Sequence, residues 1–169
     1  MEAEEKAVEQ ALPGMEKPRA KAKVFINPSD LVEVKVDVFF DPSSGEFLSA
    51  MVPELITNKE TLKAVIGVDE YVFKFSKPMY DKLNKYRAAC MELEPSTKTR
   101  MVNSLKLRDY LILFHLKEWN LKNDQGEAIP LSFTKSGGLT DESLNVVYSL
   151  HPSIMDIVMT SFESKMVLV

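Results

Sequence analysis

LKLRDYLILFHLKEWNL, Leu105 to Leu121, contains neither Gly nor Pro. Leu105, Ile112, Leu116 and Trp119 share one helical face, and Leu107, Leu111 and Phe114 form a second row beside it. Between Tyr110 and Leu116 only His115 is strongly polar. A helix that is apolar nearly all round is buried by other elements on several sides. The spacing therefore predicts a core helix over 103–121. The quoted stretch would be about 25 Å long as a helix, and its charges argue against crossing a bilayer.

Upstream, the pattern changes from helical to alternating. In Leu31 to Phe40 the residues Val32, Val34, Val36, Val38 and Phe40 alternate with Glu33, Lys35, Asp37 and Phe39. Period two places the valines on one sheet face and the charges on the other. That predicts an antiparallel sheet with one wet face. Asp41-Pro42-Ser43-Ser44-Gly45 is a turn, and Glu46 to Val52 returns as a second hairpin arm, confined to an edge by Pro53. Thr57 to Glu60 would cap a short helix with Leu62, Val65 and Ile66 inward and Gly67 as its stop. Glu70 to Phe75 reads as a strand, with Tyr71, Phe73 and Phe75 on one face.

Pro78 opens the next helix, with an inner stripe of Met79, Leu83, Tyr86 and Cys90, and Pro95 ends it. Glu94 to Arg100 reads as a connector. After the core helix, Asn123 to Gly126 is a turn and Ile129 to Phe133 an extended apolar segment that packs on it. Thr140 caps a helix carrying Leu144, Val147 and Tyr148. A last helix runs through Ile154, Ile157, Val158, Ser161 and Phe162. The expected class is α+β: an N-terminal antiparallel hairpin or sheet, then a C-terminal bundle of four or so helices around the buried helix 103–121. The expected organisation is a charged arm over 1–21 and one domain over 22–169, β-rich in 22–76 and helical in 77–169. Val24 to Ile26 is a short apolar run between them.

Apolar residues make up 45% of the 169 positions, enough for a core. The formal net charge of −4 argues against duplex nucleic acid as the main ligand. Cys90 is the single cysteine, so no internal disulfide forms and a reducing compartment is the default. The acidic N-terminus lacks the apolar stretch of a secretory signal. A soluble, intracellularly made protein is expected, with neither nucleic acid nor membrane as partner.

Reaction chemistry is scarce. His115 and His151 are far apart in sequence, and with one cysteine they do not make a zinc ligand set. His115 reads as a packed helix histidine and Cys90 as a buried, inert thiol. No G-x-S-x-G elbow or phosphate loop is present. Asn123 to Glu127 lacks the carboxylates of a calcium loop. Tyr71, Phe73, Phe75, Tyr80 and Tyr86 lie among Lys74, Lys77, Lys82, Lys85 and Arg87; such rings could stack bases, but core packing with a basic rim is the better reading. No catalytic, cofactor-binding or metal-binding residue is assigned, and no cofactor is expected.

From about Tyr71 to Phe162 the order of signals resembles small tail-assembly proteins of bacteriophages. The resembling parts are Tyr71-Val-Phe-Lys-Phe-Ser-Lys-Pro-Met-Tyr-Asp-Lys-Leu83, Trp119-Asn120-Leu121-Lys122, Gly126-Glu127-Ala128-Ile129-Pro130-Leu131, and the Thr140-Asp141-Glu142 cap before two final helices. The resemblance implies a non-enzymatic protein that binds other phage structural proteins: tail tube, tape measure or baseplate, or copies of itself. It would work in the host cytoplasm during assembly, or remain in the virion tail as a baseplate, tube or neck component. The valine-alternating strand departs from a helical tail assembly chaperone and favours a β-containing component. The competing expectation is an intracellular adaptor or regulatory module unrelated to phage. Assembly is expected to run through the arm Met1 to Lys21 and the hairpin Leu31 to Val52.

Overall fold

A computed structural model describes Asn27 and residues 29–167; the arm Met1 to Lys21 and the run Val24 to Ile26 lie outside the described residues. The chain runs β1 (Leu31–Phe40), β2 (Phe47–Met51), a 3-10 turn (Pro53–Leu55), α1 (Lys59–Val65), β3 (Gly67–Ser76) and α2 (Tyr80–Ala89). It continues as β4 (Met91–Leu93), β5 (Arg100–Val102), α3 (Ser104–His115), β6 (Leu116–Trp119), α4 (Asp141–Ser149) and α5 (Pro152–Val167). Strands β2-β1-β3-β6 form one antiparallel sheet in that order, and β4 and β5 form a separate hairpin. The fold is thus mixed α and β.

The valine alternation carries the core. Val32, Val34, Val36 and Val38 are buried on one face, in register with Phe75, Phe73, Tyr71 and Asp69 of β3. Leu111 and Ile112 of α3, Val147 of α4, and Ile154, Val158, Met159 and Phe162 of α5 complete the cluster. Each such side chain contributes roughly 1.5–3 kcal/mol by leaving water. Helix α5 lies across β1 and β2. The helices therefore cover a sheet; they do not surround a central helix.

The expected helix 103–121 divides at His115. Asn103 caps α3, its side chain accepting from the Lys106 N–H. At Leu116 the backbone turns extended (φ −66°, ψ 124°), and the next residues pair with β3, Leu116 opposite Phe75 and Trp119 opposite Phe73. Asn120 prolongs the ladder: its Oδ1 accepts from the Val72 N–H (2.7 Å) and its Nδ2 donates to the Glu70 carbonyl (2.9 Å). A continuous helix would have left that side of β3 unpaired, so pairing overrides helical propensity here. Leu105 is consequently 68% exposed, not on a buried face. Strands are not confined to residues 22–76, because β4, β5 and β6 all follow Ser76.

The second sheet face is wet at one end only. There Glu33, Lys74 and Glu118 stand in a cross-strand row, with Lys74 Nζ 2.6 Å from Glu118. At the other end Asp37 and Phe39 are buried, although alternation assigned them to solvent. The 3-10 turn and α1 lie against the sheet there, and Lys59 of α1 reaches Asp37 at 2.6 Å. Gly67 does more than stop α1: a Cβ there would stand 2.3 Å from the Phe40 ring, so that ring requires a glycine beside it. Asn58 occupies the α1 N-cap without a side-chain bond, and Val65 is exposed, not inward. On α2, Met79 is exposed and Leu83 and Tyr86 are half-buried, so the expected stripe is shallow.

Candidate functional site

Two places combine geometry with chemistry that the fold alone does not require. The first surrounds His115, at the junction where α3 becomes β6. Its ring is buried, with Nδ1 3.0 Å from Ser76 Oγ and 3.1 Å from the Ser76 carbonyl oxygen. Nε2 is buried without a partner among the described residues. Burial holds the imidazole neutral, pushing its pKa from 6.5 down to about 4. The Ser76 carbonyl opposes that shift, and the charges of Lys117 and Lys82 add to it.

His115 lines a cavity of about 260 Å³ together with Ser76, Lys77, Lys82, Lys117 and Ser136. Tyr86 forms part of its wall, edge-on to the imidazole at 5.7 Å, and is itself stacked with Tyr110 and Phe114. The register of β6 skips Lys117 between Glu118 and Leu116. That bulge redirects the Lys117 side chain. Its Nζ lies 3.4 Å from the Gly137 carbonyl and 5.2 Å from the Phe133 ring. Burial, then repulsion from Lys82, lowers the Lys117 pKa.

A pH prediction follows from the imidazole. The folded pKa lies below the unfolded one, so the unfolded chain binds the proton more readily. The contribution of neutral His115 is intact above pH 6.5 and falls away as the pH drops towards 4. The loss should reach about 3 kcal/mol. Urea midpoints measured across that window should fall more steeply for the parent than for His115→Gln; parallel curves would show that His115 is not the titrating group.

The second place is the outer strand β2. It pairs only with β1 among the described residues, whereas β1 is paired with β3 along its length and with β2 over Asp37–Phe40. Strand addition is therefore excluded at Asp37–Phe40, the part of β1 with a partner strand on each side. Pairing jumps from Ser49 to Phe47, leaving Leu48 as a bulge with half its surface in solvent. Between β2, the 3-10 turn and α5 runs a groove of about 620 Å³ lined by Met51, Val52, Leu55, Ile157 and Ser161 among others. Leu55, on its rim, is 69% exposed.

The remaining residues of interest have structural duties. Cys90 is buried at the C-cap of α2, and burial raises its thiol pKa, as suits an inert thiol. His151 is exposed, stacked on Phe47 at 3.9 Å, and nowhere near a ligand set. Asn123 Oδ1 accepts from the N–H groups of Gln125 and Glu127, closing a plain turn. Phe73 and Phe75 lie in the core, while Tyr80 is exposed. Among the described residues, no group of three or more His, Cys, Asp or Glu is placed to hold a metal ion.

The helix expected to run to Pro95 stops at Ala89, and the stretch after it, with the end of the expected connector, forms the β4–β5 hairpin. Glu94 accepts from the Ser96 and Thr97 hydroxyls and Lys98 adopts φ 56°, which tightens the turn. The hairpin leaves Leu93 and Met101 more than half exposed. Short apolar pairs on either side of Pro95-Ser96-Thr97 were the available signal.

No family model matches the chain, and neither a curated protein nor a solved structure is significantly similar to it. No helix among the described residues is long and apolar enough to cross a membrane.

Proposed function

We propose that this chain is a non-enzymatic structural or assembly protein of a bacteriophage tail. It acts by receiving an extended segment of a tail tube, tape-measure or baseplate protein along β2 and its groove. The carrying observation is the outer strand itself. Among the described residues β2 offers unpaired backbone groups beside an apolar groove, the arrangement used in strand addition. Its five residues, the Leu48 bulge and Pro53 keep that edge short, which limits indiscriminate pairing. The groove supplies side-chain selectivity through Met51, Leu55 and Ile157.

The tail assignment rests on the order of motifs from Tyr71 to Phe162. These residues serve the fold: Trp119 Nε1 donates to the Ile129 carbonyl at 2.6 Å, tying the W-N-L-K segment to the G-E-A-I-P-L segment. Work in the host cytoplasm during assembly, or residence in the virion tail, follows from this reading.

The test is co-expression with the tail tube, tape-measure and baseplate proteins encoded in the same genome. Leu55→Asp should leave stability within about 0.5 kcal/mol, as an exposed substitution does. It should weaken the complex at least tenfold. Undiminished binding would remove the groove from the interface. If the parent chain binds none of those proteins, the tail assignment is wrong, and a sedimentation experiment showing dimers would assign β2 to a second copy instead.

A further inference from the structure

We propose that the cavity around His115 is a binding site for a phosphate-type dianion, carried by inorganic phosphate or by a small phosphomonoester. Lys77, Lys82 and Lys117 line it from the segment after β3, from α2 and from β6. No carboxylate lines it, and none of the three lysines forms an ion pair among the described residues. In a chain of net charge −4 such an uncompensated cluster is a local exception. Gathering cations without a counter-charge is costly, and an anion relieves that cost.

The wall chemistry favours a phosphoryl group over a carboxylate. Lys77, Lys82, Lys117, His115 and Ser76 among the lining residues offer more donors than the two oxygens of a carboxylate match, and a phosphoryl group presents three. With Nδ1 donating to the Ser76 carbonyl, Nε2 has no partner among the described residues and becomes a buried donor once the ring is protonated. A buried donor left unbonded costs free energy, so an acceptor in the cavity would be favoured. The bulge at Lys117 supports the same reading, since bulges re-aim side chains beside sites. The volume, about 260 Å³, lies just below that of pockets for drug-sized ligands. It leaves room for a short carbon group against Tyr86 and Phe114, which line the same cavity. A duplex or an extended strand would need a long basic track, which this local hollow of about 260 Å³ is not.

The chain contains two histidines, which makes the experiment direct. His115 and His151 are followed by NMR while inorganic phosphate, glycerol phosphate or, at matched ionic strength, chloride is added. Saturable movement of the His115 resonances with either phosphate probe, and not with chloride, is expected, with His151 unmoved. The bound anion should raise the His115 pKa by at least one unit from about 4, which corresponds to tenfold tighter binding by the protonated form. Saturation by glycerol phosphate alone would identify a phosphomonoester site, and equal saturation by both would identify the phosphoryl group as sufficient.

Lys82→Gln, at an exposed position on α2, should weaken binding at least tenfold without loss of fold, and adding Lys117→Gln should weaken it further. Lys63→Gln, exposed on α1, should leave it unchanged. The proposal is overturned by absence of a saturable shift, by an equal response to chloride, or by an equal effect of Lys63→Gln.

Discussion

Phe75→Ala is expected to lower the free energy of unfolding by about 3–5 kcal/mol, the largest effect of any core truncation tested singly. Phe75 is buried and stacked on Phe162 of α5, ring centroids 4.4 Å apart. It stands opposite Val32 on one side and Leu116 on the other. Its ring thus joins the centre of the sheet to α5 and to the point where α3 becomes β6. Removing it would withdraw contacts from three elements at once, and paired strands cannot close the space without shifting register. Tyr80→Ala, at a ring that is 77% exposed, should cost less than about 0.5 kcal/mol. Urea unfolding with matched m-values checks both. A Phe75→Ala loss near 1 kcal/mol would mean that the cluster rearranges around the cavity.

The contrast between β1 and residues 105–121 explains what can be read from sequence. Along β1 the alternation and the burial agree from Leu31 to Val36 because one face rests on a large core, whatever helices supply it. The register with β3 and the return through β2 then follow. At His115 local pattern and final structure part. Helical spacing places Leu116 and Trp119 on the Ile112 face, yet both residues also suit a strand. Only the open side of β3, supplied by residues forty positions earlier, decides between them.

Asp37 and Phe39 failed for a similar reason: what buries them is the 3-10 turn and α1, whose position no local pattern encodes. The His115 cavity was half-legible. The lysines around Tyr80 and Tyr86 were visible as a basic segment, and His115 as a packed histidine. Their convergence with Lys117 depends on the α3-to-β6 break, so the spacing of a continuous helix concealed it. The β2 edge was expected from Pro53, but the groove beside it needs α5, more than a hundred residues away.

Lys59→Met is expected to cost about 3 kcal/mol, and a second substitution, Asp37→Val, to recover most of that loss. Asp37 is buried, with Oδ1 2.6 Å from Lys59 Nζ and Oδ2 unpartnered among the described residues. Removing the ammonium strands a carboxylate in the interior, the circumstance in which breaking a buried pair costs most. The lower end of that range applies because the Lys59 side chain is 28% exposed and Glu70, 3.5 Å from Nζ, shares its charge. Replacing both members with apolar side chains removes the stranded charge, so the double variant should lie within about 1 kcal/mol of the parent. The pair also predicts an alkaline limit. The hydrogen bond to Asp37 raises the Lys59 pKa above 10.5, so the pair's contribution is whole below that pH and is lost as the pH climbs through the raised value. The double variant should lack this loss. Lys59 also anchors α1, and with it the Pro53–Leu55 turn that forms one wall of the groove. Lys59→Met should therefore weaken partner binding even under conditions where the chain stays folded. If the single substitution costs under about 0.5 kcal/mol, Asp37 is not held as a buried charge, and the turn and α1 are fixed by the half-buried Ile56, Leu62 and Ile66 instead.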